Sequence, residues 1–326
     1  MMQIVLIGLG AGAASALLFA TVASGSWLSV FLFYVSPLPI MIAALGWSHL
    51  AGLIAAISAA VVLAAIFGWV FLVAFLAGSG LPAWWLSYLA MLARPALAGA
   101  QVGAQVGAPG QLEWYPPGRL ILWAAAFASL VVIVGILSLG TDFEGFRASF
   151  REALERMVRV NPPPGAPAGR DTSGSILDFL VIAIPPAAAV LATITNVLNL
   201  WLAGKIVRFS GRLTRPWPDL AAIDFPRPTG IIFLIAAALT FVGGLVGYFA
   251  TIASAALVVA YGMLGLAVLH AVTRGIKHRG LTIGATYVAI LIFGWPVLGL
   301  CLLGIADQLF NLRGRAAQRR GPPTII

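Results

Sequence analysis

Long apolar stretches dominate the pattern of hydrophobic and polar positions along the chain. From Met1 to Ala93 there is no Asp, Glu, Lys or Arg, and His49 is the only histidine. A soluble helix needs a polar face, which a stretch of this kind does not provide. A helix that crosses the hydrocarbon layer needs about 20 mostly apolar residues. The pattern therefore predicts transmembrane helices surrounded by lipid.

Measured against that length, the apolar stretches separate into nine candidate spans. The predicted fold is all-α, a polytopic transmembrane helical bundle of eight or nine spans within one integral membrane domain over residues 1–312. We expect the first segment to be a retained span and not a signal peptide, because it has no basic start and runs almost directly into the next segment. The spans are predicted near 3–23, 27–45, 50–68, 70–92, 120–140, 176–203, 229–248, 250–272 and 281–305.

One polar segment, over 141–159, has a helical pattern of its own. Thr141 and Glu144 have the spacing of a capping box, and Glu152 with Arg156 forms an i,i+4 pair on the polar side. The pattern predicts an amphipathic surface helix that either covers a loop of the bundle or docks a partner. Its apolar stripe consists of Phe143, Phe146, Phe150, Leu154 and Met157.

Three other segments are predicted to be irregular. Between the fourth and fifth spans, a tandem Gln-Val-Gly-Ala at 101–108 indicates a low-complexity loop. Prolines stop the amphipathic helix and begin a Pro-rich linker over 160–174. Residues 313–326 form a basic tail.

Composition agrees with a membrane protein. Of the 326 residues, 61% are apolar and 9% are charged, and the mean hydropathy is +1.02, whereas soluble domains are roughly 45–50% apolar and 25% charged. The net charge is +9, but the basic residues flank apolar segments, where they contact headgroups and set orientation. Because no groove-reading motif accompanies them, we expect the lipid bilayer and not nucleic acid as the partner.

The loops on the two sides of the predicted bundle carry nearly equal numbers of Lys and Arg, ten against nine. We assign the first set to the cytoplasm because its members lie nearer the span ends, where the bias acts most strongly. The basic tail then falls on the opposite side, which suggests a re-entrant or tilted segment broken at 294–296. The first set is Arg94, Arg119, Lys205, Arg208, Arg212, Arg215, Arg227, Arg274, Lys277 and Arg279; the second is Arg147, Arg151, Arg156, Arg159, Arg170, Arg313, Arg315, Arg319 and Arg320.

No catalytic, metal or cofactor site is expected. Cys301 is the only cysteine, so the chain offers neither an internal disulfide nor a CxxC site. The three histidines lack metal-binding spacing, and no paired carboxylates or catalytic triad can be assembled, so we expect the protein not to be an enzyme. A G-x-x-x-x-G-K-[ST] motif is also missing, and any ATP-driven step would need another subunit.

The sixth predicted span carries the densest group of polar side chains within hydrocarbon, where each polar group needs a partner. Asn199 lies three residues from Asn196 and four from Thr195, so the three share one helix face. Such a face either binds a polar ligand or joins two helices by hydrogen bonds. Tyr34 and Ser36 adjoin a proline in the second span, and we expect them to line a break there and complete the candidate ligand site.

The first span carries small residues at a spacing of four, at Gly8, Gly12 and Ala16. Such a face lets helices approach closely, which is typical of a partner-facing or tightly packed helix. Prolines at 37, 39, 185, 186 and 296 interrupt three of the spans. Broken helices of this kind form ion and substrate sites in many transporters, and simple kinks are the alternative.

Several short motifs along the chain, outside the two linkers at 96–118 and 160–174, complete the pattern. They are Ser-Pro-Leu-Pro-Ile at 36–40 with Gly46-Trp47, the exit from Asn199 to Arg215 into a basic loop, Gly265-Leu266 running to Arg274, and Leu303-Gly304 with Asp307 and Leu-Arg-Gly-Arg at 312–315. Together they resemble the YybS-like family of predicted bacterial multi-span membrane proteins, also termed domain of unknown function 2232. The resemblance implies a location in the bacterial inner membrane.

That family is distantly similar to the substrate-binding S components of energy-coupling-factor transporters, whose first helix uses small residues to dock a membrane subunit. By this resemblance, Gly8, Gly12 and Ala16 would face such a partner. The chain has more spans than the six typical of S components and no vitamin-binding motif. Two functions follow as hypotheses: a transporter-like subunit that binds a small solute or lipid within the bundle, or a non-transporting scaffold that docks envelope or membrane-associated partners.

Overall fold

The computed structural model describes residues 1–95, 101–102, 105–106, 112–140, 142–160 and 174–318. Within these ranges, seven helical segments are long and apolar enough to cross a membrane, or eight if one bent pair counts as a span. The predicted all-α membrane fold is confirmed. Thr141, residues 161–173 and the end of the basic tail lie outside the described residues.

The elements of the described chain are numbered here in chain order. The α-helices are α1 Met2–Ala20, α2 Trp27–Val35, α3 Leu38–Gly46, α4 His49–Phe67, α5 Trp69–Phe75, α6 Leu81–Ala90, α7 Pro117–Leu139, α8 Phe143–Val160, α9 Gly174–Phe209, α10 Pro228–Leu239, α11 Gly244–Val272, α12 Arg279–Phe293, α13 Pro296–Phe310 and α14 Leu312–Gln318. The strands are β1 Ala93–Pro95, β2 Gln101–Val102, β3 Gln105–Val106 and β4 Leu112–Trp114.

Prolines act differently in two of the spans. The second span is divided at Pro37 into α2 and α3, as a residue without a backbone N–H favours. Of the two possibilities for Pro185 and Pro186 in the sixth span, a break or a simple kink, the break is not observed, because α9 continues through both. The carbonyls of Val181 and Ile182, four residues earlier, lose their intrahelical donors. The Tyr248 hydroxyl of α11 lies 3.1 Å from each of them and shares its one proton between them.

The C-terminal third differs from the predicted spans. Gly243 and Gly244 adopt positive φ values of 78° and 59°, which glycine tolerates, and they end the α10 segment before α11 begins. The span predicted near 281–305 is instead two helices, α12 and α13, separated where Gly294 has a φ of 70°. The suggested break at 294–296 is therefore present.

The chain after α13 lies beside the loop between α9 and α10. The Arg313 guanidinium donates to the Ile223 carbonyl at 2.6 Å, and the Gln308 amide donates to the Pro226 carbonyl at 3.2 Å. The prediction that the basic tail begins on the opposite side is thus wrong, because the chain turns back at Gly294 and returns to the side of the α9–α10 loop. Arg313 and Arg315 join the first basic set, which then outnumbers the second.

We call the end of the bundle that carries this set the basic end. It includes the N-terminus, because α1 runs parallel to α4, with Gly8 against Ala51 and Gly12 against Ala55. The start of α4 lies at this end, because the Arg212 guanidinium is 4.5 Å from the ring centre of Trp47, two residues before α4. The opposite end carries α8 and its carboxylates.

The buried apolar residues form two clusters. The first cluster joins α1, α3, α4, α5 and α6 with the ends of α7 and α9. The second cluster joins α7, α8, α9, α11 and α13 with two residues of the α9–α10 loop. With 36 residues, α9 is the longest helix of the described chain and contributes to both clusters.

The predicted amphipathic helix is present as α8. Its Phe146 is buried, and the Phe146 and Phe143 rings each lie 5.5 Å from the Tyr248 ring. At its polar edge, Arg151 pairs with Asp178 of α9 at 2.6 Å, and both Asp178 and Glu155 raise the pKa of the Arg151 guanidinium. Met157, predicted to belong to the stripe, is 66% exposed. The helix therefore covers the bundle with most of its apolar face.

A short antiparallel ribbon replaces the expected low-complexity loop between α6 and α7. β1 pairs with β4, and β2 pairs with β3. The two copies of the tandem Gln-Val therefore pair with each other, because Gln101 is opposite Val106. Arg94 and Glu113 are also opposite each other, with Nε and Oε2 2.7 Å apart, and this ion pair lowers the pKa of the Glu113 carboxyl. Cross-strand pairing was not visible in the composition of the segment.

Candidate binding cavity at the basic end

A cavity of about 670 Å³ lies at the basic end, between α7, α9 and α11. Its walls are mainly apolar and include Leu120 and Ala124 of α7, Leu198 of α9 and Ala267 of α11. The volume lies within the range of ~300–1,000 Å³ that small-molecule sites occupy. A space of this size and surface suits a hydrocarbon chain better than a polar metabolite.

The charged side chains and the histidine of the lining come only from loops and helix ends. Arg215 and Asp219 belong to the α9–α10 loop, His270 to the last turn of α11, Arg274 to the turn after α11, and Arg279 to the start of α12. Basic residues at the end of α11 are favoured by the partial negative charge of a helix C-terminus. The cavity thus has an apolar interior and a cationic rim.

Arg215 is held in the rim by backbone carbonyls and is half-buried. Its two terminal nitrogens donate to the carbonyls of Ala90 at 2.7 Å and Tyr115 at 2.9 Å. These bonds connect α6, the ribbon and the α9–α10 loop. Burial lowers the pKa of the Arg215 guanidinium, since removal from water disfavours the charged form. Among the described residues, Arg215 has no carboxylate partner.

Arg274 and Asp219 form an exposed ion pair across the rim. One terminal nitrogen of Arg274 lies 3.2 Å from both Asp219 oxygens, and the side chains are 50% and 56% exposed. Asp219 also accepts from the Ala221 backbone N–H at 3.0 Å. Exposed pairs of this kind contribute little to stability, so the Arg274 guanidinium can exchange its partner at small cost.

α12 lies beside the rim with few contacts to the rest of the bundle. The His270 and Tyr287 rings are 6.0 Å apart in an edge-to-face arrangement, and His270 Nδ1 lies 2.9 Å from the Leu266 carbonyl. None of the residues of α12 is buried. Exposed apolar side chains such as Leu281 and Leu291 instead face outward from the protein.

The residues predicted as a ligand site lie elsewhere. The Asn199 amide donates to the Tyr34 carbonyl at 2.8 Å and to the Thr195 carbonyl at 3.0 Å. Asn196 is buried on the same face of α9. Ser36 is buried too, and its hydroxyl has no hydrogen-bond partner among the described residues. None of the five lines the cavity, so their role in binding a ligand stays a prediction, while Asn199 joins α9 to the break between α2 and α3.

The small residues of α1 face another helix of the same chain. A Cβ atom on Gly12 would approach the Ala55 carbonyl to 2.7 Å, and one on Gly8 would approach Ile54 to 2.8 Å. Ala16 is buried in the first cluster. This face of α1 therefore packs closely against α4, while a role in contacting a partner subunit stays a prediction. Gly10 has open space on the other face.

The described residues contain no cluster of metal ligands. No three or more of their His, Cys, Asp or Glu side chains are close enough together to hold an ion. Cys301 is buried in the second cluster. Its packing against apolar neighbours gives it the role of a small apolar residue.

The cavity was not predicted from the sequence, because its walls within the spans are apolar and carry no polar signal. The wall of the cavity uses the opposite face of α9, with Ile194, Leu198 and Trp201, which is apolar and resembles any lipid-facing stripe. One signal was present in the sequence. His270 and Arg274 are four residues apart at a span end, and this spacing places both on one face.

Comparison with known proteins gives one family. The family described as "Predicted membrane protein (DUF2232)" matches residues 114–308, which is more than half of the chain. No curated protein and no solved structure matches the chain, and the similarity to S components stays a prediction. The match begins beside β4 and extends into α13, so it includes α7, α9 and α11, which enclose the cavity. The chain thus belongs to this family of predicted membrane proteins.

Proposed function

We propose that the protein is a transporter-like membrane subunit that holds a small solute of lipid-like character in the cavity between α7, α9 and α11. The observation that carries this proposal is the apolar cavity of about 670 Å³ with charged side chains only at its rim. A helix bundle usually fills such a space with side chains. An apolar or amphiphilic solute would complete the packing.

Two further expectations belong to this proposal. The protein resides in the bacterial inner membrane with its basic end in the cytoplasm, as the excess of Lys and Arg at that end favours. A partner subunit supplies any energy, because the sequence has no phosphate-binding loop of its own. No catalytic step is assigned to the chain.

A scaffold is the second candidate function, and α8 favours it. The outer face of α8 carries Glu144, 81% exposed, and a Glu152–Arg156 pair that is more than 60% exposed on both sides. A charged helix face fixed on the bundle can bind another protein. In that case the cavity would have no specific occupant.

A tryptophan in the wall of the cavity distinguishes the two functions. Leu198 lines the cavity and is 56% exposed, so Leu198→Trp should fold and reduce the space for a solute. Leu191, two turns earlier on the same face and 47% exposed, is outside the lining, and Leu191→Trp is the matched control. Each protein is purified in mild detergent, and co-purifying small molecules are quantified by mass spectrometry.

The solute-binding function predicts a stoichiometric small molecule in the wild type and in Leu191→Trp, and its loss in Leu198→Trp. Equal amounts in all three proteins would contradict binding in this cavity. A stoichiometric protein partner without any small molecule would support the scaffold.

A further inference from the structure

We propose that the cavity selects an amphiphile with an anionic phosphate headgroup, which Arg274 and Arg279 hold at the rim while its apolar chain lies between α7, α9 and α11. This inference rests on the proposed function and names the class of its solute. It follows from the charge of the rim, the shape of the apolar interior and the position of α12.

The charge of the rim favours an anion. Three guanidinium groups line the cavity, at Arg215, Arg274 and Arg279, and Asp219 is the only carboxylate among the lining residues described. Arg279 is exposed and forms no ion pair with the described residues. Guanidinium groups bind phosphate through paired, charge-assisted hydrogen bonds. The rim therefore carries an excess of positive charge, supplied by groups of the type that binds phosphate.

The existing ion pair does not block this use. Asp219 is exposed and also caps the Ala221 N–H, so it stays hydrogen-bonded if Arg274 turns toward a ligand. Arg215 is different, because two carbonyls already hold it. Arg274 and Arg279 are consequently the side chains free to contact a headgroup, and Arg215 contributes its fixed charge behind them.

The interior fits the apolar part of the same molecule. On α9 the lining extends from Ile194 to Gly204, which is ~15 Å along the helix axis. Leu120 and Ala124 face this stretch from α7, and Met263 and Ala267 from α11. A free inorganic anion would leave this apolar length empty, whereas an acyl chain would cover it.

The surroundings of the rim favour a molecule that arrives from the bilayer. α12 follows Arg279 and has no buried residue, while Leu281 and Leu291 are 74% and 87% exposed. In a membrane such side chains contact lipid. Arg279 thus sits where the protein surface meets headgroups, beside the mouth of the cavity.

The test uses native mass spectrometry of the full chain in neutral detergent with three probes. They are dimyristoyl-phosphatidylglycerol, dimyristoyl-phosphatidylcholine and inorganic phosphate. The variant is Arg274→Gln with Arg279→Gln. The control, Arg227→Gln with Lys277→Gln, removes the same charge from the same end, at exposed residues outside the cavity lining.

We expect wild type and control to retain phosphatidylglycerol at least about tenfold more than phosphatidylcholine, the factor expected from one charge-assisted hydrogen bond. The double variant should retain both lipids equally. Arg279→Gln alone should reduce the preference for phosphatidylglycerol over phosphatidylcholine. This single variant replaces the double variant in the test if the double variant does not fold. Inorganic phosphate at the same concentration should not displace the lipid.

Three results would overturn the inference: equal retention of both lipids by the wild type, equal loss of preference in the control, or displacement of the lipid by inorganic phosphate. In each of these cases Leu198→Trp would still reduce retention if the proposed function holds. Failure of the proposed function itself gives a different result, because lipid retention would then be the same in Leu198→Trp and in the wild type.

Discussion

The two hydrophobic clusters are held together in different ways. In the first, helices α1–α6 contain no charged side chain, and close contact depends on small residues such as Gly12 against Ala55. In the second, polar side chains connect distant parts of the chain: Tyr261 donates to Gln308 at 2.9 Å, and Arg313, which pairs with the nearby Asp307, donates to the Ile223 carbonyl at 2.6 Å. Both clusters are apolar in composition, so only their contacts distinguish them.

The difference teaches which change each cluster tolerates. Helices that pack closely at glycine and other small residues lose stability when a larger side chain is introduced there. Helices joined by buried polar pairs are sensitive to the loss of one partner, because the remaining group is left unpaired in a medium of low dielectric. Three substitutions test this comparison, in order of decreasing effect.

Asp307→Asn should have the largest effect. The Asp307 side chain is 4% exposed and that of Arg313 is 19% exposed, and the Arg313 guanidinium also donates to the Ile223 carbonyl. Asp307→Asn leaves the Arg313 guanidinium with only the exposed Asp224 carboxylate, 3.6 Å away, as a charged partner. Breaking a buried pair costs about 3–5 kcal/mol of the free energy of unfolding, and we expect a loss at the lower end of that range. Unfolding in mixed detergent micelles measures it.

Arg156→Gln is the control for that variant, because it breaks the exposed pair with Glu152. We expect this variant to lose only about 0–1 kcal/mol of the free energy of unfolding. Similar losses in both variants would show that burial of the Asp307 pair does not matter.

Gly12→Leu should have an intermediate effect and act on the first cluster. A side chain there would collide with the Ser58 hydroxyl and the Ala55 carbonyl of α4, so α1 has to move away. Overpacking of this kind costs about 1–3 kcal/mol. Thermal unfolding in detergent measures the change. Gly10→Leu, on the open face of the same helix, should be nearly neutral, and an equal loss at both sites would contradict contact-specific packing.

Tyr248→Phe should have the smallest effect of the three. It removes the donor that satisfies the Val181 and Ile182 carbonyls, at a cost of about 1–2 kcal/mol for an unsatisfied buried acceptor. Faster amide hydrogen exchange near Pro185 should accompany the loss. Tyr34→Phe is the matched control, since Tyr34 contributes its backbone carbonyl and not its hydroxyl to the contact with Asn199. Unchanged exchange in Tyr248→Phe would show that water replaces the hydroxyl.

Local patterns predicted much of the fold. The apolar stretches gave the spans through α9, and the stripe from Phe146 to Leu154 gave α8, because helical periodicity depends only on nearby residues. The break at Gly294 was also visible as a Gly-Trp-Pro sequence. The continuity of α9 through Pro185 was not visible in the sequence, since it depends on Tyr248, which is more than 60 residues away in the chain.

The candidate cavity lay beyond local prediction for the same reason. Asn199 and Leu198 are neighbours in sequence, yet one side chain joins two helices and the other lines the cavity. Which face of α9 meets a neighbour and which meets an empty space depends on how α7 and α11 pack around it.

The sequence by itself determined that the chain forms lipid-embedded helices with an amphipathic helix outside them, because length and polarity of each stretch decide whether its backbone can leave water. The tertiary structure alone decided the side on which Arg313 lies, the partner of Gly12 and the existence of the cavity. These features arise from contacts between residues far apart in sequence, and no local pattern records such contacts.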